Sequence, residues 1–364
     1  MRKVAAVVTA CLLSTMTGNA QLDATASKGL TAVPGIRVGH FTLPGGRTGC
    51  TVVMADGEGA VGGVSQRGAA PGTRETDVLD PLNMVERVNA IVLTGGSAFG
   101  LDAAQGVMRY LEEKNIGYKT GAGVVPIVPA AVIFDLPFIG PSNPRPTADC
   151  GYKAATAASD APVPEGNVGA GAGATVGKLG SFFGTPGSEA RYTSMKAGVG
   201  SAAIALPTGL IVSAIVVVNA IGDIIDPLSG QVVAGMRSAN GTLVDARRLL
   251  RAGAPGIAPR AGENTTIGVI STNAKLTKTQ VSRVALMADD GVARAINPSR
   301  TQGDGDTVFA LATGGWNGTA DVTLVGALAA EVMAEAIVRA AVMATSAGGL
   351  SSAREAETIP ARFK

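Results

Sequence analysis

Two adjacent threonines in the stretch GENTTIGVI are the residues best suited to act as nucleophiles without a partner residue. Thr265 and Thr266 follow a segment rich in glycine, proline and arginine, and they begin an apolar run typical of a buried strand. A threonine that chain cleavage makes N-terminal can use its own α-amine as general base. That amine has an ordinary pKa of about 8, so part of it is unprotonated at neutral pH. The pattern therefore allows a cut between Asn264 and Thr265 in an exposed loop, although a plain turn into a strand has the same pattern.

Histidine limits every other catalytic arrangement, because His40 is the single one in the chain. A serine–histidine–acid triad would have to use it, and so would a histidine-containing zinc site. Ser97 in GGSAFG lacks the glycine that a nucleophile elbow needs two residues later. We therefore expect a structural role for His40, a turn or capping role for Ser97, and no metal site.

The first twenty residues, MRKVAAVVTACLLSTMTGNA, have the features of a secretory signal. Two basic residues precede a short apolar run, and small residues follow it at 18–20. The apolar run is too short to span a bilayer. We predict that residues 1–20 are removed and that the protein is secreted and periplasmic. Cys50 and Cys150 would then lie in an oxidising compartment, where they could pair.

Net charge argues against two classes of partner, and residue spacing argues against one nucleotide-binding motif. The net charge of +2 provides no electrostatic footprint for nucleic acid or for a membrane surface. The stretch NVGAGAGATVGK suggests a phosphate loop, but Ala172 and Leu179 stand where that loop needs a glycine and a hydroxyl. We interpret it as a glycine-rich turn beside the active site, and we expect no cofactor.

The remaining pattern predicts strands and helices that build an α/β layered sandwich. Hydrophobic residues make up 46% of the chain and charged residues 16%, so most elements should be buried on both faces. Residues 124–139 contain three prolines and are expected to form a loop or an edge strand, and the polar tail from Ser351 is expected to fray. The other expected elements are a strand, glycine turn and helix over 90–113, a strand over 210–218 that ends at Asn219, a connector over 240–264 with a short helix at 243–250, a strand over 266–272, a helix over 278–296 with one apolar face that includes Val284 and Ala288, a strand over 307–313 and a helix over 321–346.

Five segments in a fixed order resemble the DmpA-type family of L-aminopeptidase/D-esterases and β-peptidyl aminopeptidases. They are VPGIRVGH, RGAAPGTRETDVLDP, VLTGGSAFGLDAAQGVMRYLEE, NTTIGVISTNAKLTKTQ and DGDTVFALATGG. The resemblance implies an αββα sandwich of the N-terminal-nucleophile-hydrolase type, a usual homotetramer, and no metal or cofactor. It also implies an inactive precursor that cuts itself into a larger chain, 21–264, and a smaller chain, 265–364.

The same resemblance implies roles for particular residues. Thr265 matches the nucleophile of the threonine branch, and Asn219 matches the asparagine that stabilises the oxyanion, with the Thr266 N–H as a second donor. Asp304 and Asp306 stand where some members have a Ser-x-Glu pair. Asp306 would orient the new α-amine, whereas Asp304 replaces a hydroxyl group.

The segment VPAAVIFDL departs from the aminopeptidases of this family. Phe134 stands where they have a phenol or indole ring, and it has no hydrogen to donate to an oxyanion. Asp135 is the remaining candidate for binding a substrate amine, and a turn role is its alternative. The sequence thus predicts a self-processing amidohydrolase or aminopeptidase that acts on small peptides or amides. A hydrolase of non-peptide, pantetheine-like amides and an unprocessed, non-enzymatic binding protein are the alternatives.

Overall fold

The computed structural model describes residues 23, 25–179, 192–253 and 264–364, so the predicted signal lies outside the described residues. The strands are β1 (Ile36–Thr42), β2 (Gly49–Ala55), β3 (Ala60–Gln66), β4 (Thr73–Arg74), β5 (Arg87–Val88), β6 (Ala90–Thr94), β7 (Tyr118–Thr120), β8 (Gly123–Val125), β9 (Ala130–Val132), β10 (Thr175–Val176), β11 (Met195–Lys196), β12 (Val199–Ala205), β13 (Ile211–Asn219), β14 (Asp223–Ile225), β15 (Val232–Ala234), β16 (Thr265–Thr272), β17 (Ile296–Asn297) and β18 (Thr307–Ala312). The helices are α1 (Ala103–Glu113), α2 (Leu136–Ile139), α3 (Ala148–Thr156), α4 (Ala246–Arg251), α5 (Lys278–Ala295) and α6 (Val322–Val342). Within these ranges, no helix combines the length and the apolar character that a bilayer crossing needs.

Two sheets stack face to face and each carries helices on its outer side. The five-stranded sheet has the order β1-β2-β6-β9-β4, and the six-stranded sheet has the order β12-β13-β16-β18-β3-β5. Apolar side chains of β6 and β13, such as Leu93 and Val217, share the core between the sheets. Helices α1 and α3 pack on the first sheet, and α5 and α6 pack on the second. The predicted αββα sandwich is therefore confirmed.

Local sequence sets the start of the two long helices. Thr277 and Gln280 form a capping box at the start of α5, because each side chain accepts a hydrogen bond from the other residue's backbone N–H. The Asp321 side chain accepts from the Thr323 N–H at the start of α6. The apolar face predicted for α5, which includes Val284 and Ala288, is buried against the second sheet and α6.

Glycines bring the helix backbones against the second sheet. A Cβ atom at Gly200 of β12 would lie 2.0 Å from the Ala336 carbonyl oxygen of α6. A Cβ atom at Gly63 of β3 would lie 2.6 Å from the Ser282 nitrogen of α5. Real Cβ atoms do not approach so closely, so the layer spacing at these points requires glycine.

The structure corrects the prediction for residues 124–139. Strand β9 is internal, since it pairs parallel with β6 and antiparallel with β4, and residues 136–139 form the short helix α2. The prolines do not prevent this, because Pro129 precedes the strand and its carbonyl still accepts from the Val92 N–H at 3.0 Å. Pro137 lies in the first turn of α2, where a missing N–H removes no helical hydrogen bond.

The prediction of a frayed C-terminal tail is wrong. The Thr358 hydroxyl donates to the Val233 carbonyl at 2.5 Å. Arg362 pairs with Asp226 at 2.7 Å and with Glu335 at 3.0 Å. The prediction failed because it rested on polar composition alone, whereas these polar groups have fixed partners just after β14, on β15 and on α6.

Cys50 of β2 and Cys150 of α3 form a disulfide that ties the first sheet to its covering helix. The two cysteines are 100 residues apart, so the bond restricts a large loop of the unfolded chain. In a Thr265→Ala background, where the chain is expected to stay whole, reduction should lower the free energy of unfolding by about 2–5 kcal/mol. Urea unfolding with and without reductant measures this. A Cys50→Ala/Cys150→Ala control should not respond to reductant, and an unchanged midpoint in the parent would contradict the prediction.

Gly200→Ala should lower the free energy of unfolding by about 1–3 kcal/mol, because the new methyl group would collide with the α6 backbone. The matched control is Gly315→Ala, where a Cβ atom meets nothing within 4 Å. That exposed substitution should change stability by less than about 0.5 kcal/mol. Urea unfolding of the two variants gives the comparison, and equal stabilities would refute the proposed close contact.

Candidate active site

The centre of the six-stranded sheet brings the predicted nucleophile and the predicted oxyanion residue together. Strands β13 and β16 are antiparallel neighbours, and Asn219, the last residue of β13, pairs with Thr265, the first residue of β16. Both side chains are buried. The two strands were predicted from sequence, whereas their pairing joins residues 46 positions apart in the chain.

The Asn219 side chain has its hydrogen-bond partners on two other segments. Its Nδ2 donates to the Phe134 carbonyl at 2.9 Å. Its Oδ1 accepts from the Thr175 N–H at 3.1 Å and from Lys178 Nζ at 2.7 Å. Lys178 also donates to the Asn219 carbonyl at 2.8 Å. These contacts fix the orientation of the amide, so Asn219 as an oxyanion donor stays a prediction with a defined geometry.

Lys178 and Thr175 are site residues that the sequence did not single out. They belong to the glycine-rich stretch NVGAGAGATVGK, whose pattern excludes a phosphate loop. The turn lies beside the site, as the sequence predicted. The signal was a lysine that follows a glycine-rich run in an otherwise apolar segment. That pattern does not reveal which carbonyl or amide the lysine contacts.

Asp304 and Asp306 are both buried on the turn that precedes β18. The Asp306 Oδ1 accepts from the Thr266 N–H at 2.6 Å, and its Oδ2 accepts from the Arg300 N–H at 3.2 Å. The Thr266 N–H is therefore engaged by a carboxylate, contrary to its expected role as second oxyanion donor. The Asp304 Oδ2 accepts from the Thr301 N–H at 2.6 Å.

Burial changes the protonation of these two carboxyl groups. Burial, and after it the negative charge of Asp304, raise the pKa of Asp306 to about 8. Burial also raises the pKa of Asp304, against the lowering effects of hydrogen bonds from Thr301 and of the Lys178 cation. Both carboxyl groups are therefore harder to ionise than free aspartic acid side chains.

The peptide bond before Thr265 is held from both sides. The Asn264 carbonyl oxygen accepts from the Thr265 hydroxyl at 2.5 Å and from the Gly305 N–H at 2.9 Å. The Asn264 N–H donates to the Gly303 carbonyl at 3.3 Å. Asn264 is only 1% exposed, so the expectation of an exposed bond is wrong at this residue. Residues 254–263 of the predicted connector lie outside the described residues.

The two predicted substrate-binding residues have different surroundings. Phe134 is half-buried and reaches Asn219 through its carbonyl oxygen. Asp135 is buried, and its carboxylate accepts from the Thr48 hydroxyl and from the Gly96 N–H, each at 2.7 Å. Burial raises the pKa of Asp135 to about 6, and the hydrogen bond from Gly96 opposes this rise. Substrate binding by either residue stays a prediction, since both Asp135 oxygens already have partners in the protein.

His40 and Ser97 have structural contacts. The His40 Nδ1 lies 2.9 Å from the Thr51 hydroxyl of the neighbouring strand, and burial lowers the pKa of the ring to about 4. Ser97 begins the 3₁₀ turn at 97–102 with a φ of 56°. Among the described residues, no group of three or more histidine, cysteine or acidic side chains is placed to hold a metal ion.

The four-layer architecture resembles that of solved aminopeptidase structures. It is similar to a β-aminopeptidase from Burkholderia sp., with a TM-score of 0.64 and 21% identity over 92% of each chain. It is equally similar to an L-aminopeptidase D-Ala-esterase/amidase from Ochrobactrum anthropi, a variant of the Ntn-hydrolase fold, with a TM-score of 0.64 and 20% identity over 92% of each chain.

Sequence comparison defines the family. Residues 28–354 match the model of Peptidase family S58, and the chain belongs to this family. It is 43% identical over 356 residues to an uncharacterized aminopeptidase of Mycobacterium leprae, covering 88% of this chain and 92% of the relative. It is 32% identical over 324 residues to a 6-aminohexanoate-oligomer endohydrolase of Kocuria sp., covering 85% and 84%. The protein is thus a hydrolase that acts on peptide or amide bonds.

Lys178→Met should lower kcat for an aminoacyl p-nitroanilide by at least about tenfold. The ammonium group that fixes the Asn219 amide would be lost, and a fully lost oxyanion donor costs about 10²–10³ in kcat. Initial rates of p-nitroaniline release measure the effect. The control is Lys153→Met, which removes an exposed lysine paired with Asp149 on α3 and should leave the rate unchanged. Equal rates in both variants would show that catalysis does not depend on the contact between Lys178 and Asn219.

Proposed function

We propose that the protein is a self-processing N-terminal-threonine hydrolase. It cuts itself between Asn264 and Thr265 and then releases acyl or aminoacyl groups from small peptides or amides through an acyl-enzyme on Thr265. The observation that carries this proposal is the 2.5 Å hydrogen bond from the Thr265 hydroxyl to the carbonyl oxygen of Asn264. A nucleophile is thereby held next to the carbonyl group that it would attack.

Burial of the bond favours an intramolecular cut over cleavage by another protease. Asn264 and Thr265 are 1% and 4% exposed, so an external protease would have to unfold the start of β16 to reach them. The backbone contacts of Asn264 keep hydroxyl and carbonyl in one geometry, and such positioning can supply about 7–11 kcal/mol of a barrier. The cut would free the α-amine of Thr265, whose ordinary pKa of about 8 suits a general base.

In turnover, the free amine would take the Thr265 hydroxyl proton while the oxygen attacks the substrate carbonyl. The proton would then pass to the departing amine, leaving an ester on Thr265 that water hydrolyses. Asn219, opposite Thr265 in the ladder, is the proposed side-chain donor to the oxyanion. Asp304 and Asp306 would hold the new ammonium or amine group in place, and no cofactor or metal takes part in these steps.

A second candidate substrate class is an amide without a free α-amine next to the scissile carbonyl. It is supported by Phe134, which has no hydroxyl group, and by the relatives named for 6-aminohexanoate oligomers. Rates on an α-aminoacyl p-nitroanilide, its N-acetyl derivative and a pantetheine-like amide separate the classes. Turnover of the free-amine substrate alone would favour the aminopeptidase.

We further propose removal of residues 1–20, export to the periplasm and assembly into a homotetramer. The Cys50–Cys150 disulfide supports an oxidising compartment, and the tetramer rests on the family resemblance. The N-terminal mass of protein from a periplasmic fraction tests the first two points. Light scattering in solution tests the third.

Intact mass of the purified protein should give two chains that meet at Asn264 and Thr265. Thr265→Ala should give one chain because it lacks the nucleophile, and Thr265→Ser should restore the cut. The matched control is Thr266→Val, because the Thr266 hydroxyl is buried with no hydrogen-bond partner among the described residues and should not be needed. A folded wild type that stays whole would remove the proposal and leave the binding-protein alternative.

A further inference from the structure

The Asn264 carbonyl oxygen has a backbone donor that no sequence pattern indicated. The Gly305 N–H donates to it at 2.9 Å, and the Asn264 N–H donates to the Gly303 carbonyl at 3.3 Å. Asn264 thus lies against residues 303–305 as one further rung of the parallel pairing between β16 and β18. The carbonyl that Thr265 faces is therefore in contact with a fixed N–H dipole.

We propose that the backbone N–H of Gly305 is an oxyanion donor, first in self-cleavage and then in turnover of substrate. This inference rests on the proposed self-processing by Thr265. The same Thr265 oxygen attacks the Asn264 carbonyl and later the substrate carbonyl. Where the substrate carbonyl takes the place that the Asn264 carbonyl leaves, the Gly305 N–H faces the substrate oxygen.

The self-cleavage step balances with the groups present. The Thr265 oxygen bonds to the Asn264 carbonyl carbon, and the carbonyl oxygen takes the negative charge. When the carbon–nitrogen bond breaks, the hydroxyl proton ends on the departing Thr265 nitrogen, which becomes the free amine. Water then hydrolyses the ester, giving the Asn264 carboxylate and restoring the Thr265 hydroxyl.

The other expected donors are engaged elsewhere. The Thr266 N–H donates to Asp306, and the Asn219 Nδ2 donates one of its hydrogens to the Phe134 carbonyl. Among the residues that the structure describes, the N–H in contact with the Asn264 oxygen is that of Gly305. Asn219 can still contribute its second amide hydrogen, so the two donors are compatible.

The turn that carries Gly305 is held rigidly, as electrostatic stabilisation of an oxyanion requires. The Ala70 N–H donates to the Asp304 carbonyl at 2.9 Å, and the Gly68 N–H donates to the Asp306 carbonyl at 3.2 Å. A Cβ atom at Gly305 would lie 2.6 Å from the Ala70 oxygen and 3.1 Å from the Thr265 hydroxyl oxygen. Glycine is therefore needed for the N–H to approach the carbonyl without displacing the nucleophile.

Replacing Gly305 by glycolic acid during cell-free translation removes this N–H and adds no side chain. We expect self-cleavage to slow by about 10²–10³-fold, and kcat of the mature enzyme to fall by a similar factor. Mass spectra taken over time after synthesis measure the first rate, and p-nitroanilide hydrolysis measures the second.

Lactic acid at position 70 is the matched control. It is needed because the ester introduced at 305 also makes the Asp304 carbonyl a weaker acceptor for the Ala70 N–H. That control removes the same hydrogen bond and should cut at nearly the wild-type rate.

The outcomes separate this inference from the function on which it rests. If the wild type cuts and the folded glycolate chain cuts equally fast, the Gly305 N–H is not a donor and Thr265 keeps its role. An equal loss in the position-70 control would also overturn the inference, since the effect would then come from the turn. If the wild type never cuts, the proposed function fails and this inference fails with it. Should the glycolate chain not fold by circular dichroism, the infrared carbonyl band of carbon-13-labelled Asn264 in the uncut Thr265→Ala protein tests the contact. A band shifted to lower frequency than that of a free amide carbonyl is expected, and an unshifted band would overturn the inference.

Discussion

The antiparallel pairing of β13 with β16 is the interaction on which the site depends. Both strands lie inside a sheet that is covered on one face by another sheet and on the other face by helices. A shift of one residue would exchange the two buried faces, so the register is fixed by packing across the full length of both strands. This fixed register places Asn219 opposite Thr265, and parallel pairing with β18 places the Asp304–Asp306 turn next to the same bond.

The polar groups of the site are buried and depend on backbone partners. Asp306, Asp304 and Asn219 accept hydrogen bonds from four backbone N–H groups, which offsets the free energy of removing them from water. Lys178, which donates a hydrogen bond to Asn219, adds a positive charge near Asp304, whose pKa is raised by burial. Such a site is rigid before any substrate arrives, as catalysis by fixed dipoles requires.

Close backbone packing explains why the chain tolerates so many glycines. At Gly200 and Gly63 the helices touch the sheet, and at Gly305 and Gly68 two loops touch each other beside Thr265. Glycine at points of close backbone contact therefore sets both the spacing of the layers and the geometry of the site. In both places a side chain would separate backbones whose hydrogen bonds or packing define the structure.

The sequence by itself determined the layered α/β class, the strands that end at Asn219 and begin at Thr265, the helix α5 with its buried face, and the residue types at the candidate site. These follow from local hydrophobic periodicity and from the order of short motifs, both of which depend on residues that are close together in the chain. Only the tertiary structure decided that β9 is an internal strand, that the C-terminal tail is fixed, and that the Asn264–Thr265 bond is buried. The contacts of Lys178 with Asn219 and of Gly305 with Asn264 also came from the fold, because each joins residues about 40 positions apart and no local pattern links them.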